Sequence, residues 1–277
     1  AALRRFLAGE VELVLGGTFA DLPYTRAADL PRNALRFDPV AGLFGLAPTR
    51  RSGPLADPEL RRLLGQAIDR DALIRALDVP NLVGRATLLE AGLEGVPDPV
   101  TPQWSTLPVG DRRPGLIAAA DRMFQGKERP VLRIVLPEGP GGQTLLNRLS
   151  ADWGFLGIRV ERALKGQPTD IKLIDAVAPS TSPAWFLRQF RCDAAPICVA
   201  EADPLLEAAR TAPIAAQRGA LLAEAARMMD EEQLFIPIAA PIRWSLVSAR
   251  IEGFAGNRFA RHTLTSLEER LNREGAQ

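Results

Sequence analysis

The sequence predicts an α/β protein in which helices cover a mixed sheet, and two observations carry this prediction. Of the 277 residues, 47% are hydrophobic and 24% are charged, a balance typical of a globular chain with a sizeable buried core. Helical and strand-like patterns also alternate along the chain, as expected for a sheet covered by helices. The alternation is clearest in four consecutive segments: a helix at 116–124, a strand at 131–136, a helix at 144–156 and a strand at 158–164.

The charge balance argues against nucleic acid as a partner. The formal net charge is +1, and the 34 basic residues, all arginine except Lys127, Lys165 and Lys172, are scattered along the chain. No apolar run reaches the length of about 18 residues that a membrane-spanning helix needs. The N-terminal residues also lack the order of basic region, apolar core and cleavage site that marks a signal peptide.

The sequence begins directly with a helical pattern of apolar residues, followed by a strand pattern. Apolar spacing predicts a helix at 1–8 and a strand at 10–15. Short apolar runs within 35–46, broken by Pro39 and Gly42, predict two further strands. We therefore expect the chain to be a piece of a longer protein. With the rest of that protein missing, the strands near 10–15 and 243–248 are expected to expose unpaired edges.

The stretch from Pro54 to Leu77 predicts two consecutive helices with one apolar stripe. Asp57 precedes Pro58, a favourable order for a helix start, and leucines recur at helical spacing while the arginines fall mostly off the stripe. Asp69 and Asp71 lie where the first helix gives way to the second. Their carboxylates could be an acid/base pair, but the position favours capping of backbone N–H groups, because no concave apolar surround for catalysis is evident.

The rest of the chain continues the alternation. Prolines make 80–114 irregular, and the glycine-rich stretch at 136–144 favours a plain turn over an anion-binding loop, because it lacks the spacing of a phosphate-binding motif. A strand ending near Pro179 is followed by a short helix that carries Trp185 and Phe186. Two helices at about 203–211 and 213–232 then lead to two strands around Pro241.

Four segments, in this order and spacing, resemble the family 5 extracellular solute-binding proteins, the oligopeptide-, dipeptide- and nickel-binding components of ABC importers. The most specific is the Ala-Ile-Asp-Arg-Asp-Ala-Leu motif after a proline-led helix; the four segments are FLAGEVELVLGG, PLADPELRRLLGQAIDRDALIRAL, VLRIVLPEGPGGQTLLNRLSADWGFLGIRVE and LFIPIAAPIRWSLVSARIEGFAGN. The resemblance implies a type II periplasmic binding protein-like fold and matches the C-terminal half of the family. It implies one complete lobe at 43–238, with 1–42 and 239–277 belonging to the second lobe.

The resemblance also implies a function. The chain would be the solute-binding component of an ABC transporter, periplasmic, without enzymatic activity or a cofactor, and its partners would be a peptide or other small solute and the membrane permease. Candidate ligand-binding residues are Asp175, Ala176, Val177, Ser180, Thr181, Arg243 and Trp244. Ala176 and Pro179 occupy the positions of the family's peptide-binding tryptophan and aspartate, which puts peptide specificity in doubt. Because one lobe leaves most of a ligand wet, weak binding is expected of this chain.

Several residues keep two interpretations. Ser180 and Thr181 could face a cleft or lie in a solvated loop, and Trp244 could line the lobe interface or simply pack within its lobe. His262, the only histidine, has no acid beside it in sequence, so a loop or surface role is favoured over a catalytic base. Two cysteines and one histidine cannot form a four-ligand zinc site unaided, so no metal is expected. A ligand-sensing domain of a regulator and an unrecognised hydrolase remain the alternative functions.

Cys192 and Cys198 are the only cysteines. The export that the resemblance implies, together with their even number, favours a disulfide over two buried free thiols. A redox or metal motif is less favoured, because the spacing is too long for Cys-x-x-Cys and soft ligands are lacking.

Overall fold

The computed structural model describes residues 1–164 and 166–269. Its α-helices are α1 (Ala2–Leu7), α2 (Leu22–Arg26), α3 (Pro58–Ala67), α4 (Arg70–Leu77), α5 (Val109–Met123), α6 (Pro140–Gly154), α7 (Pro183–Arg188), α8 (Ala202–Thr211) and α9 (Ala215–Glu231). Its strands are β1 (Leu13–Thr18), β2 (Leu35–Phe37), β3 (Gly42–Pro48), β4 (Val131–Val135), β5 (Arg159–Arg162), β6 (Ile171–Val177), β7 (Ile236–Ala239), β8 (Arg243–Val247), β9 (Ile251–Glu252) and β10 (Glu268–Glu269).

The larger sheet is mixed, as predicted. Its five strands have the order β5-β4-β6-β3-β7, with β4 parallel to both β5 and β6, and β3 antiparallel to β6 and β7. All seven residues of β3 are buried, which suits an internal strand covered on both faces. The predicted α/β class, with helices that cover a mixed sheet, is therefore confirmed.

The smaller sheet has three antiparallel strands in the order β1-β8-β2. Strand β8 lies in the middle and pairs on both sides, so the prediction of an exposed edge at 243–248 is wrong: β2 supplies the partner that the sequence did not assign to it. Gly17 faces Trp244 so closely that a Cβ atom at position 17 would lie 2.1 Å from the indole ring. Glycine at this position lets β1 pair with β8 over the tryptophan.

The chain crosses between the two sheets twice. The first crossing is at residues 38–41, between β2 and β3, and the return is at residues 240–242, between β7 and β8. One apolar cluster contains buried residues from both sheets, among them Phe44 and Trp244. The predicted division into 1–42, 43–238 and 239–277 lies close to these crossings and stays a prediction; its last residues, 270–277, lie outside the described part of the chain.

The Pro54–Leu77 stretch forms two capped helices. The Asp57 carboxylate accepts a hydrogen bond of 2.9 Å from the Glu59 N–H at the start of α3, and the Asp69 carboxylate accepts one of 2.9 Å from the Ala72 N–H at the start of α4. Asp71 is exposed in the first turn of α4 and is not the cap. The capping interpretation therefore holds for Asp69 and is wrong for Asp71.

Two arginines of this stretch are buried, contrary to the prediction that the arginines lie mostly off the apolar stripe. Arg61 is 2% exposed and Arg70 is 9% exposed. Backbone carbonyl groups surround both guanidinium groups; Glu232 and Gln233, for example, provide acceptors for Arg61. A guanidinium group with such acceptors can lie inside a core, but acceptors about 170 positions away in sequence leave no local pattern.

The cap at Asp69 leads to a prediction about stability. Asp69→Asn should leave the free energy of unfolding nearly unchanged, because an amide oxygen can still accept the Ala72 N–H. Asp69→Ala should lower it by roughly 0.5–2 kcal/mol, since the hydrogen bond is lost. Urea denaturation followed by circular dichroism measures both. Equal large losses for the two variants would show instead that the negative charge of Asp69 is required.

Several helix and strand bounds differ from the predicted ones. Helix α5 begins at Val109 instead of 116 and contains Pro114, whose exposed position near the helix start lets water satisfy the freed carbonyl. Strand β1 lies three residues beyond the predicted 10–15. Helix α2 and strands β9 and β10 were not predicted, because they are too short to show a periodic pattern.

The glycine-rich stretch at 136–144 is a turn only in its first part: residues 136–139 lie outside any helix or strand, whereas residues 140–144 are helical. Helix α6 begins at Pro140, four residues before the predicted start. The Gly141 N–H donates to the Ala20 carbonyl at 2.9 Å, and a Cβ atom at position 141 would lie 1.9 Å from the Phe19 carbonyl oxygen. The glycine therefore permits close backbone contact between α6 and the segment before α2.

Candidate functional site

A cavity of about 300 Å³ lies where the two sheets meet. Strand β6 lines it from the larger sheet, strands β1 and β8 line it from the smaller one, and the segment after β9 closes one side. Its lining residues are Gly16, Asp38, Asp175, Ala176, Val177, Arg243, Trp244, Phe259, Ala260 and His262. The structure thus brings together five of the seven predicted ligand-binding residues: Asp175, Ala176, Val177, Arg243 and Trp244.

An ion pair between Asp175 and Arg243 joins the two sheets inside this cavity. The Arg243 Nη1 atom lies 2.7 Å from the Asp175 carboxylate, and Nη2 donates to the Asp175 carbonyl at 3.2 Å. The side chains are only 17% and 15% exposed. Burial raises the pKa of the Asp175 carboxyl above its ordinary value, while the charge of Arg243 opposes the increase. The pair therefore holds β6 and β8 together and leaves neither charge free.

Trp244 has both of the roles that the sequence left open. Its indole packs in the apolar cluster, where it is 6% exposed, and its Nε1–H donates to the Thr18 carbonyl at 2.8 Å. The same ring also lines the cavity. Because the indole is held by this hydrogen bond and packs on Gly17, it forms a rigid apolar wall of the cavity.

His262 has an acid partner that the sequence did not reveal. Its Nε2 atom lies 3.1 Å from the Asp38 carboxylate, and the two side chains are 7% and 3% exposed. The imidazole stacks on Phe254, with 4.7 Å between the ring centroids, and the Asn257 N–H donates to the other Asp38 oxygen. His262 therefore lies in a loop, as predicted, but it is a buried, paired side chain and not a surface residue.

The His262–Asp38 pair resembles two parts of a hydrolytic triad, yet a nucleophile is missing. The described residues that line the cavity include no serine, threonine or cysteine. The contacts of His262 and Asn257 with Asp38 hold the loop after β9 against the crossing segment at residues 38–41. The lining of the cavity thus combines the indole of Trp244 with the Asp175–Arg243 ion pair and the His262–Asp38 contact.

Ser180 and Thr181 lie outside the cavity. Thr181 donates from its hydroxyl to Glu94 at 3.1 Å, and Ser180 is exposed in the loop before α7. Sequence reasoning missed Asp38, Phe259 and His262 as cavity residues. The sequence carries no signal for Asp38, since its partner is 224 positions away.

A disulfide joins Cys192 and Cys198 in the loop between α7 and α8, with 5.1 Å between the Cα atoms. The ring is short, so its contribution to stability should be only about 2–3 kcal/mol, and its main effect is to shape this loop. Mass spectrometry of unreduced protein from an oxidising compartment should show no alkylation at either cysteine. Alkylation of both without prior reduction would mean that the bond is absent.

Other cavities lie elsewhere in the described part of the chain. One of about 640 Å³ surrounds Trp104, one of about 720 Å³ lies between residues 35–40 and 79–82, and one of about 530 Å³ lies among α7, α8 and α9. The Trp104 ring stacks with Arg70 and Arg112, whose centres are 5.5 and 5.2 Å from its centroid, which anchors the long loop over the core. Of the predicted ligand-binding residues, Arg243 also lines the cavity of about 720 Å³, but the cavity between the sheets is the one of these four that contains five of them.

Within residues 1–164 and 166–269, no group of three or more histidine, cysteine, aspartate or glutamate side chains is placed to hold a metal ion. Over the same residues, the structure contains no helix with the length and apolar character needed to cross a bilayer.

Comparison with known proteins gives one curated relative and many structures. No family model matches the chain. Over 238 residues the chain is 26% identical to the probable di/tripeptide-binding protein 5 of Pseudomonas aeruginosa, strain UCBPP-PA14. This alignment covers 77% of the chain and 43% of that protein. The chain therefore spans less than half the length of this relative.

The structural matches have the same fold. OppA of Haemophilus influenzae in complex with RPPGFSPFR superposes with a TM-score of 0.82 at 14% identity, covering 96% of this chain and 56% of that one. The murein tripeptide binding protein MppA of Escherichia coli gives 0.82 at 16%, covering 97% and 55%. The substrate-binding domain of an oligopeptide ABC transporter from Bacillus anthracis gives 0.75 at 15%, covering 96% and 56%. The chain thus has the fold of the oligopeptide-binding proteins over nearly its whole length, and its resemblance to the family 5 extracellular solute-binding proteins is confirmed.

Proposed function

We propose that the chain is part of the solute-binding component of an ABC importer, which captures a peptide-like or other small solute between two lobes and delivers it to a membrane permease. The observation that carries this proposal is the cavity between the two sheets, at the place where the chain crosses from one to the other. Binding proteins of this architecture hold ligands at such a junction, because closure there buries most of the ligand surface.

The relatives support the choice of solute and compartment. The curated relative is named as a di/tripeptide-binding protein, and the structural matches include oligopeptide- and tripeptide-binding proteins. Such proteins of importers act in the periplasm, which we propose for this chain as well. The lining of the cavity supports binding without chemistry, since Asp175 and Asp38 each have a partner and the described lining residues include no serine, threonine or cysteine.

Tryptophan fluorescence tests this function, because Trp244 lines the proposed site. The product of the whole reading frame that encodes this chain should change its emission when di- and tripeptides are added, and Trp244→Phe should remove most of the change. Trp104→Phe is the matched control, since Trp104 lies in a different cavity, and it should keep the response.

Calorimetry of the same peptides gives the second measurement. The whole product should bind at least one of them, while the 277-residue chain should bind weakly, because one lobe and part of another leave most of the ligand in water. Micromolar binding by the 277-residue chain would contradict this expectation. Absence of binding by the whole product to any peptide or small solute would contradict the function itself.

A further inference from the structure

A groove with four arginines lies among α7, α8 and α9. It has a volume of about 530 Å³ and is formed by α7, α8, α9 and the Glu94–Gly95 turn. We name it the arginine groove after the arginines that line it: Arg188, Arg191, Arg210 and Arg218. It shares no lining residue with the cavity between the sheets, so it is independent of the proposed solute site.

The floor of the arginine groove is apolar. Leu206, Ala209 and Leu222 line it, and all three are buried members of the second apolar cluster of the protein. Pro183 and Ala184 continue the apolar lining from α7. A groove of this size, with an apolar floor and charged groups at its rim, can take a small molecule that has an apolar part and a polar end.

Positive charges outnumber negative charges at the rim of the groove, which has four arginines and two glutamates. Arg210 is neutralised, because its Nε and Nη2 atoms lie 2.9 and 2.6 Å from the Glu207 carboxylate. Arg191 lies 3.3 Å from Asp193. The remaining acid of the lining, Glu94, accepts a hydrogen bond from the Thr181 hydroxyl.

Arg188 and Arg218 are the surplus cations. Arg188 donates to the Ala184 carbonyl at 3.2 Å, and Arg218 donates to the Ala212 carbonyl at 3.1 Å. Neither forms an ion pair with a carboxylate among residues 1–164 and 166–269. Each guanidinium group therefore keeps donors that can face a ligand.

We propose that the arginine groove binds a small carboxylate with an apolar chain. The guanidinium group is the side chain that pairs bidentately with a carboxylate, and the buried leucine and alanine side chains would cover the apolar part of the ligand. The two acids in the lining, Glu94 and Glu207, disfavour a multiply charged anion such as a phosphate. A single carboxylate would pair with Arg188 and Arg218, and its apolar chain would pack on the apolar floor of the groove.

Octanoate is the probe, measured by calorimetry with the purified protein. It should bind with a Kd of about 1 mM or tighter, whereas acetate, which lacks the chain, and octylamine, which reverses the charge, should not. The double variant Arg188→Gln/Arg218→Gln should weaken octanoate binding about tenfold, because two charge-assisted contacts are lost. Both arginines are exposed, so these changes should leave the fold intact.

The matched control is Arg75→Gln/Arg122→Gln, which removes two exposed helical arginines outside the groove. It should change the affinity for octanoate by less than about twofold. Octylamine binding as tightly as octanoate would overturn the proposal, and so would equal losses in the two double variants. Failure of octanoate to bind would overturn it as well, without bearing on solute binding at the other cavity.

Discussion

Replacement of Arg70 by methionine should lower the free energy of unfolding by about 3–5 kcal/mol, the largest effect that we expect from one substitution in this chain. The Nε atom of Arg70 donates to the carbonyl groups of Arg85 and Pro237 at 2.8 and 2.9 Å, and Nη1 donates to that of Gly65 at 3.0 Å. Methionine matches the aliphatic part of the arginine side chain but has no donor. It would leave three carbonyl groups without a partner in the buried interior.

The acceptors of Arg70 explain why the loss should be large. They belong to α3, to the long loop after α4 and to β7, so one guanidinium group ties three separate segments together. Burial lowers its pKa to about 10, yet the group remains charged at neutral pH, which makes the hydrogen bonds strong. The motif around Asp69 and Arg70 therefore joins α3, α4, the long loop and β7.

Chemical denaturation of Arg70→Met, Arg70→Lys and Arg75→Met tests this role. Lysine keeps the charge but concentrates its donors at one nitrogen, so it should recover only part of the loss. Arg75 is exposed on the same helix, and its variant should stay within about 0.5 kcal/mol of the parent. A loss below about 1 kcal/mol for Arg70→Met would show that the carbonyl groups find other partners.

The sequence predicted those features that depend on neighbouring residues. The caps at Asp57 and Asp69, the apolar stripe of α3 and α4, and the strand that became β6 all follow from local spacing. Local spacing also gave wrong helix starts: α5 extends through Pro114 to Val109, and α6 includes Gly141 and Gly142. Proline and glycine are poor helix formers, but a helix can contain them near its exposed or tightly packed start.

The candidate site could be predicted only in part, for a different reason. Asp175, Ala176 and Val177 follow one another on β6, and Arg243 and Trp244 follow one another on β8, so each group could be named from its strand. Contacts between residues of different sheets cannot be predicted from one amino-acid sequence. The long-range contacts of Asp175 with Arg243 and of Asp38 with His262 therefore emerge only in three dimensions.

The second large effect should come from the Asp175–Arg243 pair that joins the sheets. Arg243→Met should lower the free energy of unfolding by about 2–4 kcal/mol near neutral pH, because it leaves the Asp175 carboxylate largely buried without a cation. Asp175→Asn should cost less, since the amide can still accept from Arg243. The double variant should recover part of the loss, with a coupling energy of at least about 1 kcal/mol.

The pH dependence of Arg243→Met gives the sharper test. Burial raises the pKa of the Asp175 carboxyl, and loss of the opposing Arg243 charge should raise it further. Between the ordinary carboxyl pKa and this raised value, the folded protein holds a proton that the unfolded chain has lost, so stability falls as the pH rises. The deficit of Arg243→Met relative to the parent should therefore shrink when the pH is lowered from about 7.5 to about 5, as urea denaturation at the two pH values would show. A deficit that stays constant would mean that the loss arises from packing of the Arg243 side chain. A deficit that shrinks in Arg243→Met but not in the double variant, which lacks the Asp175 carboxylate, would assign the loss to the charge of that carboxylate.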